Sequence, residues 1–377
     1  MTRTVVLAGA SGYGRTYLRE IAELETAGAV RLAGVCDVHP LDEEGQALAG
    51  DRPFDTDLGR LLDRTRPDIG IVATPIHTHP GLARQVLAAG AHLLLEKPPL
   101  PTAGDWRELR RLARSAGRVC QTGFQSLGSH AVTRLARLMA EGRFGRIRGI
   151  GGHGAWSRSN GYYTRAAWAG RREVDGVPVV DGALTNPFAH MIATALLLDA
   201  STGWEDVRGI ELELLRARDI QADDTSCLRL RTGRGTVVTT AVTLCAEDTS
   251  DPALVVYGTH GHATLHYTRD LLVIDGMREQ HGRTSPLENL LAHLGDPGVP
   301  LQSGLDSCGG FMHVLEAVRT APEPRPIAPA WLRHNGAGDD GLVYVAGVEA
   351  AVRSSAQRLA TFSELGVPWA PAPAPLQ

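Results

Sequence analysis

Residues 68–99 constrain the fold of this chain most strongly, because a buried strand, a helix and a second buried strand follow one another there with only short loops between them. Residues 69–72, Ile-Gly-Ile-Val, form the apolar run expected of a strand that is covered on both faces. Apolar side chains at helical spacing follow, and Gly90 is placed to end that helix. The second strand covers residues 92–95. Two strands joined by one helix predict a parallel sheet.

The second of these strands ends in Glu96-Lys97-Pro98. In open α/β sheets, ligands bind beyond the carboxyl ends of the strands, so Lys97 is a candidate catalytic group. Its ammonium group suits the stabilisation of a developing alkoxide, and burial beside a cofactor would move its pKa towards neutrality. The alternative is that Lys97 serves only as an ion-pair partner of Glu96.

Composition sets limits on the class of protein. The 377 residues allow two domains, and a content of 43% hydrophobic residues is ordinary for a globular protein. The net charge of −4, without a basic block, argues against nucleic acid as the main partner. The five cysteines form no CxxC pair, and we expect them to be reduced core residues of a cytoplasmic protein. No stretch reaches membrane-spanning length, so no membrane partner is expected.

The pattern of secondary structure changes after about residue 120. Strands and helices alternate before this point, whereas strands with apolar residues at every second position, such as residues 238–244, prevail after it. Helices are predicted over residues 186–198 and 341–361. We therefore predict an α/β protein with three parts. They are an N-terminal Rossmann domain with a doubly wound parallel sheet (residues 1–122), a C-terminal α/β domain with an open, mainly antiparallel sheet for substrate binding and oligomerisation (123–365), and a Pro/Ala tail (366–377).

A glycine-rich turn, Gly-Ala-Ser-Gly-Tyr-Gly, connects the first strand to the first helix. Backbone N–H groups at such a helix start bind a pyrophosphate, although Ser11 stands where the usual motif has a second glycine. Asp37 ends the second strand, where a carboxylate accepts hydrogen bonds from a ribose and repels a 2′-phosphate. NAD is therefore preferred to NADP, with Arg15 and His39 as nearby cations that would soften this preference. The residues of the turn expected to contact the cofactor are Gly9, Ser11, Gly12, Tyr13 and Gly14.

Taken together, several motifs resemble the glucose–fructose oxidoreductase / inositol dehydrogenase (Gfo/Idh/MocA) family. They are the glycine-rich turn with Asp37, Ala73-Thr74-Pro75 followed by His79, Ala88-Ala89-Gly90-Ala91-His92, and Glu96-Lys97-Pro98. The resemblance implies NAD(P)-dependent oxidation or reduction at a carbon that bears oxygen, usually on a sugar, cyclitol or related polyol. It also implies that Thr74, Pro75, His79, Glu96 and Lys97 lie at the cofactor, and that the second-domain sheet pairs subunits in a homodimer or homotetramer.

The same resemblance directs attention to residues 181–190. Members of the family usually carry an Asp and a His four residues apart near the start of a helix, and here Asn186 and His190 hold these positions. An imidazole is a suitable base near neutral pH, which makes His190 the candidate for proton transfer and Asn186 the candidate for positioning the substrate. The amide of Asn186 carries no charge, so Asp181 is a candidate for the missing carboxylate. The alternative for His190 is a helix histidine whose role is structural.

Aromatic and arginine side chains crowd the segment before this helix. Aromatic faces and guanidinium groups suit a sugar ring or a carboxylated substrate, whereas the alternative is a surface or subunit-contact loop. The candidate substrate residues are Trp156, Arg158, Tyr163, Trp168 and Asp181, with Tyr162, Arg165 and Arg171 nearby. The histidines 260, 262 and 266 lack further clustered ligands, so no metal site is predicted.

The sequence thus predicts an NAD(P)-dependent dehydrogenase or reductase that acts on a CH–OH group of a small polyhydroxylated substrate. Lys97, His190 and Asn186 are its predicted catalytic residues. Two alternatives remain: cleavage of a glycosidic bond by transient NAD-assisted oxidation on the same fold, and a non-enzymatic protein that senses nucleotide or sugar.

Overall fold

A computed structural model describes residues 2–370, and the predicted Pro/Ala tail lies outside the described residues from position 371 onward. The chain forms two compact units. The first comprises the residues up to Gly123 together with Pro286–Asp306, and the second comprises Phe124–Ser285 and the residues from Ser307 onward. This division differs from the predicted boundaries mainly in residues 286–306, which group with the first unit.

The secondary structure alternates strictly in the first unit and is richer in strands in the second. The helices are α1 (Gly14–Thr26), α2 (Glu43–Ala49), α3 (Leu58–Thr65), α4 (His79–Ala88), α5 (Ala103–Ala116), α6 (His130–Ala140), α7 (Asn160–Thr164), α8 (Ala189–Leu198), α9 (Pro286–Gly295), α10 (Gly309–Thr320) and α11 (Val348–Arg358). The strands of the first unit are β1 (Arg3–Ala8), β2 (Val30–Cys36), β3 (Phe54–Asp55), β4 (Ile69–Val72), β5 (His92–Leu95) and β6 (Cys120–Thr122). The strands that follow are β7 (Ile147–Ser157), β8 (Glu173–Val174), β9 (Val177–Pro178), β10 (Val207–Arg216), β11 (Thr225–Thr232), β12 (Val237–Thr243), β13 (Cys245–Gly258), β14 (His262–His266), β15 (Leu271–Ile274), β16 (Met277–Gln280), β17 (Arg325–Pro326), β18 (Leu332–Asn335) and β19 (Leu342–Val345).

The first unit is built on a six-stranded sheet in the order β3-β2-β1-β4-β5-β6. Every neighbouring pair in it is parallel. Residues of β1 and β4 are buried on both faces, as their apolar runs predict. This order, with helices between successive strands, is the doubly wound Rossmann arrangement, and the predicted fold class is confirmed for this unit.

Residues 286–306 cover the edge of this sheet next to β6. Gln121 donates its side-chain amide to Asn289 Oδ1 at 2.6 Å, and the Thr122 backbone N–H donates to Ser303 O at 2.8 Å. Leu287 and Leu290 of α9 join the hydrophobic core around β1 and α1. The first of these hydrogen bonds joins positions 168 residues apart, and so long a separation explains why the sequence pattern did not reveal the contacts.

The second unit contains a nine-stranded sheet in the order β16-β15-β14-β13-β7-β12-β11-β10-β17. It is mainly antiparallel, as predicted, but β7 with β12 and β10 with β17 are parallel pairs. Glycines of β7 allow close packing on both of its faces. A Cβ atom at Gly151 would overlap the carbonyl of Ala356 in α11, and one at Gly154 would overlap the ring of Phe188.

Two predicted helices differ from the structure. The helix expected over residues 341–361 is confined to α11, because Leu342–Val345 instead forms β19 and pairs antiparallel with β18. The helix expected from residue 186 begins at Ala189, and the backbone before it forms a turn in which the Phe188 N–H donates to Ala183 O. Within residues 2–370, no helix is both long and apolar enough to cross a membrane.

Candidate active site

The glycine-rich turn lies between β1 and α1, at the carboxyl end of the central strand. Gly9 has a φ of +85° and donates its N–H to Cys36 O at 2.8 Å. A Cβ at Gly9 would lie 2.6 Å from Ala73 O, and one at Gly14 would overlap the carbonyl oxygen of Gly9. Gly12 also has a positive φ, and nothing lies within 4 Å of its Cβ position. The turn therefore requires glycine at positions 9 and 14, and it leaves open space at Gly12, as a cradle for a pyrophosphate does.

Asp37 follows β2 and holds this turn in place. Its carboxylate accepts hydrogen bonds from the Ala10 N–H at 2.8 Å, the His39 N–H at 3.1 Å and the Ser11 hydroxyl at 3.4 Å. The side chain is buried. The sequence predicted a ribose contact for this residue, and the structure adds a role in fixing the loop.

Arg15, at the start of α1, contacts two acidic side chains. Its guanidinium group lies 2.6 Å from Asp42 Oδ1 and 3.3 Å from Glu44 Oε2, and Nε donates to Ala10 O at 3.4 Å. One of the two cations that were expected to weaken the preference for NAD is thus paired with two acids.

The Glu96 carboxylate is buried behind Lys97. It accepts the Tyr17 hydroxyl at 2.7 Å and the Lys97 backbone N–H at 2.9 Å. Burial, and then the charge of Glu96, raises the pKa of Tyr17 well above its usual value. Tyr17 in turn packs edge-on against the exposed ring of Tyr13 in the turn, with 5.7 Å between ring centroids. The sequence pattern does not indicate Tyr17, since a tyrosine on the buried face of a helix gives no catalytic signal.

His79 connects the loops that follow β4 and β5. Its ring nitrogens lie 2.8 Å from Thr74 O and 3.0 Å from Pro99 O, and the side chain is buried. Burial lowers the pKa of His79, although both carbonyl contacts oppose this shift. Pro75 O accepts the Thr78 hydroxyl at 2.7 Å, which fixes the same loop. Thr74, Pro75 and His79 thus form one connected structure with the Lys97-Pro98-Pro99 segment.

His190 lies in the first turn of α8 in the second unit. The Ser126 hydroxyl is 3.3 Å from His190 Nδ1 and accepts a hydrogen bond from Thr194 at 2.9 Å. Phe124 packs edge-on against the imidazole, with 5.7 Å between centroids. Ser126 and Phe124 orient the ring, and both were missed because they lie more than 60 positions earlier in the chain.

Asp181 and Asn186 form a hydrogen-bonded pair. Asn186 Nδ2 donates to Asp181 Oδ1, and the Gly170 N–H donates to Asp181 Oδ2 at 2.8 Å. Arg165 Nη2 is 3.9 Å from the same carboxylate, whose side chain is only 3% exposed. Asp181 is thus a direct neighbour of the amide at the position where the resembled family has a carboxylate.

A second buried carboxylate supports the loop that carries this pair. Asp223 accepts the Ser226 hydroxyl at 2.6 Å and the Leu184 N–H at 3.3 Å. Burial raises the pKa of Asp223. A Cβ at Gly182 would overlap the Asp223 carboxylate, so this loop packs directly on it. Asp223 and Asp224 are visible in the sequence as an acidic pair before β11, but their spacing does not predict support of this loop.

The structure brings most of the predicted substrate residues together. Trp156 stacks on Phe188 at 4.5 Å, and the guanidinium carbon of Arg158 lies 5.0 Å from the centroid of Trp156. The guanidinium carbon of Arg165 lies 4.7 Å from the ring centroid of Trp168. Tyr163 instead packs against the buried Arg218, at 5.1 Å. In the described part of the chain, no group of three or more His, Cys, Asp or Glu side chains is arranged to hold a metal ion.

Two stretches of the chain match protein families. Residues 3–124 match the Gfo/Idh/MocA oxidoreductase family with its NAD-binding Rossmann fold, and residues 132–264 match the GFO/IDH/MocA C-terminal domain. The two matches together cover more than half of the chain. They confirm the expected nucleotide-binding domain and the type of domain that follows it.

Three curated relatives share 27–30% identity with parts of this chain. The chain is 27% identical over 210 residues to D-xylose dehydrogenase of Paenarthrobacter nicotinovorans, covering 50% of this chain and 53% of that protein. It is 30% identical over 125 residues to D-glucoside 3-dehydrogenase of Escherichia coli (strain K12), covering 32% and 35%. A third relative, 1-carboxy-3-chloro-3,4-dihydroxycyclo hexa-1,5-diene dehydrogenase of Comamonas testosteroni, is 27% identical over 149 residues, covering 38% and 36%. The chain therefore spans about a third to about half of the length of these relatives.

Solved structures share the fold over most of the chain. The WlbA dehydrogenase from Bordetella pertussis, in complex with NADH and UDP-GlcNAcA, superposes with a TM-score of 0.69 at 23% identity, covering 84% of this chain and 95% of that chain. An oxidoreductase from Thermotoga maritima superposes with a TM-score of 0.71 at 14% identity, covering 85% and 96%. At these identities the likeness shows the architecture.

Proposed function

Since this chain belongs to the Gfo/Idh/MocA family of oxidoreductases, we propose that it transfers hydride between NAD and a CH–OH or C=O carbon of a sugar, cyclitol or related polyol. The observation that carries the proposal is Lys97. It is the only lysine among the 377 residues, and it is the second residue after strand β5 of the Rossmann domain. The chain has 37 arginines, so a lone lysine at the strand end indicates a need for a compact ammonium group there. The names of the D-xylose and D-glucoside dehydrogenases support a sugar-like substrate.

The residues of the first unit bind and orient the reactants. Bound NAD supplies or takes up the hydride. The turn from Gly9 to Gly14 would hold the pyrophosphate, and Asp37 would accept the ribose hydroxyls. The Lys97 ammonium group donates a hydrogen bond to the reacting oxygen and stabilises negative charge as it develops. Glu96 accepts the Lys97 backbone N–H and fixes the base of that side chain.

The residues of the second unit handle the proton and the substrate. We assign proton transfer to the imidazole of His190, which takes a proton from the hydroxyl during oxidation and returns it during reduction. The Ser126 hydroxyl at Nδ1 orients the ring, so Nε2 is the assigned proton acceptor. Asn186, held by Asp181, hydrogen-bonds the substrate.

NAD is the proposed cofactor rather than NADP. Asp37 would face the ribose, and Arg15 is already paired with Asp42 and Glu44. The carboxylate of Asp37 would therefore repel a 2′-phosphate. Isothermal titration with both dinucleotides tests this preference, and an equal affinity for both would contradict it.

The test of the proposed function is NADH formation, followed at 340 nm, with a panel of sugars, cyclitols and polyols. We expect Lys97→Ala to bind NAD normally and to lower turnover by at least about 100-fold. Lys97→Arg is the matched variant, because it keeps the charge but replaces a compact ammonium with a planar fork. Unchanged turnover in Lys97→Ala would contradict the assignment.

The single lysine also allows a direct measurement. Reductive methylation with ¹³C-formaldehyde labels only Lys97 and the N-terminal amine, and the labelled variant Lys97→Arg identifies which signal belongs to the side chain. We expect NAD to shift the Lys97 signal. A signal that is insensitive to saturating NAD would place the ammonium group away from the cofactor.

A second candidate function has its own supporting observation. Asn186 puts a neutral amide where the resembled family has a carboxylate, which allows a changed proton-transfer step. Release of sugar from glycosides without net NADH would favour glycosidic cleavage by transient oxidation. Binding of NAD without any turnover would favour a sensor. In each case, we propose a homodimer or homotetramer, which size-exclusion chromatography with light scattering tests.

A further inference from the structure

We propose that the segment formed by residues 156–168 binds an anionic group of the substrate, a carboxylate or a phosphate, through the guanidinium groups of Arg158 and Arg165. This inference rests on the proposed function, because the anionic group belongs to the substrate of that reaction. We call this segment the arginine–aromatic segment. It comprises the end of β7, helix α7 and the turn that follows.

Two guanidinium groups share one aromatic ring in this segment. The guanidinium carbon of Arg165 lies 3.6 Å from the centroid of Tyr162, and that of Arg158 lies 5.2 Å from the same centroid. Trp156 and Trp168 extend the aromatic surface beneath the two cations. Stacking on aromatic faces orients the planar guanidinium groups. It therefore lowers the entropy cost of ordering the two arginine side chains when a ligand binds.

The charges in this region do not cancel. Asp181 is the acid nearest to Arg165, at 3.9 Å, which is a long distance for an ion pair. Arg158 has no carboxylate within ion-pair distance in the part of the chain that the structure describes. Asp339 approaches α7 but accepts the Thr164 hydroxyl at 3.3 Å. Two like charges that converge on one ring repel each other, so an anion between them would relieve the repulsion.

The segment also contains a buried donor without a partner. Arg158 Nε is buried and donates no hydrogen bond within residues 2–370. Buried donors normally have partners, and an oxygen-rich anion would supply one.

Buried contacts fix the position of Arg158. Arg218 donates Nη2 to the Arg158 carbonyl and Nη1 to Cys245 Sγ at 3.0 Å. The Arg158 N–H donates to Leu244 O at 3.1 Å. Arg218 is itself only 9% exposed. The backbone that carries the first guanidinium group is therefore anchored in the interior of the second unit, which distinguishes it from a mobile surface arginine.

The arginine–aromatic segment is packed against the residues assigned to the substrate. Trp156 stacks on Phe188, which lies between Asn186 and His190 in the chain. Asp181 connects the two groups, because its carboxylate accepts Asn186 Nδ2 and lies beside Arg165. An anion bound by Arg158 and Arg165 would thus be held by the same structure that holds Asn186.

The test compares matched neutral and anionic ligands on the full-length protein saturated with NAD. Isothermal titration would use D-glucose against D-glucuronate and D-glucose 6-phosphate, and D-galactose against D-galacturonate. Arg165→Gln is the test variant, since Arg165 lies at the surface and its replacement leaves the core intact. Arg165→Lys keeps the charge, and Arg171→Gln is the control, because Arg171 is an exposed arginine of the following turn.

We expect at least one anionic ligand to bind about 10- to 100-fold more tightly than its neutral counterpart. We expect Arg165→Gln to remove most of this difference, Arg165→Lys to keep part of it and Arg171→Gln to leave it unchanged. Tight binding of uronates alone identifies a carboxylate, and tight binding of the phosphate alone identifies a phosphorylated sugar; either supports the proposal.

Absence of any preference for an anionic ligand would overturn the proposal, as would a preference that Arg165→Gln and Arg171→Gln lower equally. NADH formation on the same panel separates this outcome from failure of the proposed function. Oxidation of neutral sugars without an anionic preference refutes only the anion site. Anion binding that depends on Arg165, without oxidation of any ligand, refutes only the dehydrogenase assignment.

Discussion

Two buried carboxylates, one in each unit, hold two of the residues assigned to catalysis, Lys97 and Asn186, and they do so in different ways. Glu96 accepts the N–H of the next residue, Lys97, and a hydroxyl from Tyr17 on α1. Asp181 accepts an amide from Asn186 and a backbone N–H from Gly170. Glu96 therefore belongs to a local motif fixed by one parallel sheet. Asp181 belongs to a loop whose shape depends on Asp223 below it and on the arginine–aromatic segment beside it.

The difference shows that the chain positions Lys97 and Asn186 by different means. A strand followed by Glu-Lys-Pro places its lysine at the carboxyl edge of a parallel sheet whatever the rest of the chain does. A loop held by side chains from several elements can exchange a carboxylate for an amide, as at Asn186, when a neighbouring acid compensates. The position of Lys97 thus depends on a few adjacent residues, whereas the position of Asn186 depends on contacts between several elements.

A matched pair of glycine substitutions would break both arrangements and is expected to have the largest effect. A Cβ at Gly123 would overlap Glu96 Oε1 and lie 3.0 Å from Glu96 Cα, and one at Gly182 would overlap the Asp223 carboxylate. We expect Gly123→Ala and Gly182→Ala each to lower the free energy of unfolding by about 3 kcal/mol, because buried atoms must move. Denaturant unfolding followed by fluorescence measures this change.

The control for both is Gly81→Ala in α4, where nothing lies within 4 Å of the added Cβ. We expect this variant to gain about 0.5–1 kcal/mol of unfolding free energy, because alanine has less backbone entropy to lose on folding than glycine. A lower free energy of unfolding in all three variants would show that packing against the two carboxylates does not cause the destabilisation.

A charge exchange would sharpen the comparison at Asp181. Asn186→Asp places two carboxylates at hydrogen-bonding distance, and we expect it to cost about 2 kcal/mol of unfolding free energy at pH 8 and less at pH 5, where the pair shares a proton. The double variant Asp181→Asn, Asn186→Asp restores one donor and one acceptor. We expect the thermal unfolding temperature of the double variant to return most of the way to the wild-type value. A decrease equal to the sum of the decreases in the two single variants would contradict a direct pair.

A third buried carboxylate gives the smallest expected effect. Burial, opposed by hydrogen bonds from Ala217 and Arg218, raises the pKa of Asp224 from 3.8 to about 6. The folded protein therefore retains a proton that the unfolded chain loses, so this group's contribution to stability is full below pH 4 and declines as the pH rises through 6. In the variant Asp224→Asn, the side chain at position 224 has no titratable group. We expect the stability of the wild type relative to this variant to fall by about 1 kcal/mol between pH 5 and pH 8, measured by urea unfolding at both values. A constant difference would show that Asp224 is ionised throughout this range.

Much of the first unit was predictable because its signals are local. The bounds of β2 and β4 and the glycine-rich turn follow from apolar runs and from glycines that tolerate no side chain. The same holds for Asp37, whose place at the end of β2 predicts its proximity to the turn. What the pattern did not reveal is that Asp37 anchors Ala10 and that Tyr17 holds Glu96, since each contact joins two elements across the sheet.

The second unit was predicted in outline. Strand alternation predicts a mainly antiparallel sheet, and the structure confirms it, but the order of nine strands depends on pairings between distant segments. The prediction of one helix over 341–361 was wrong in its first part, because residues 342–345 pair with the preceding strand β18 in a separate two-stranded sheet. Strand pairing overruled local helix propensity there.

The sequence by itself determined the family, the Rossmann domain, the glycine-rich turn after β1 and the position of the single lysine, because each depends on residues that are close in the chain. Only the tertiary structure decided that residues 286–306 return to the first unit, that Asp181 partners Asn186, and that Arg158 and Arg165 converge on Tyr162. These features arise from packing between segments that are far apart in sequence or lie on irregular loops, where no periodic pattern records which side chains will meet.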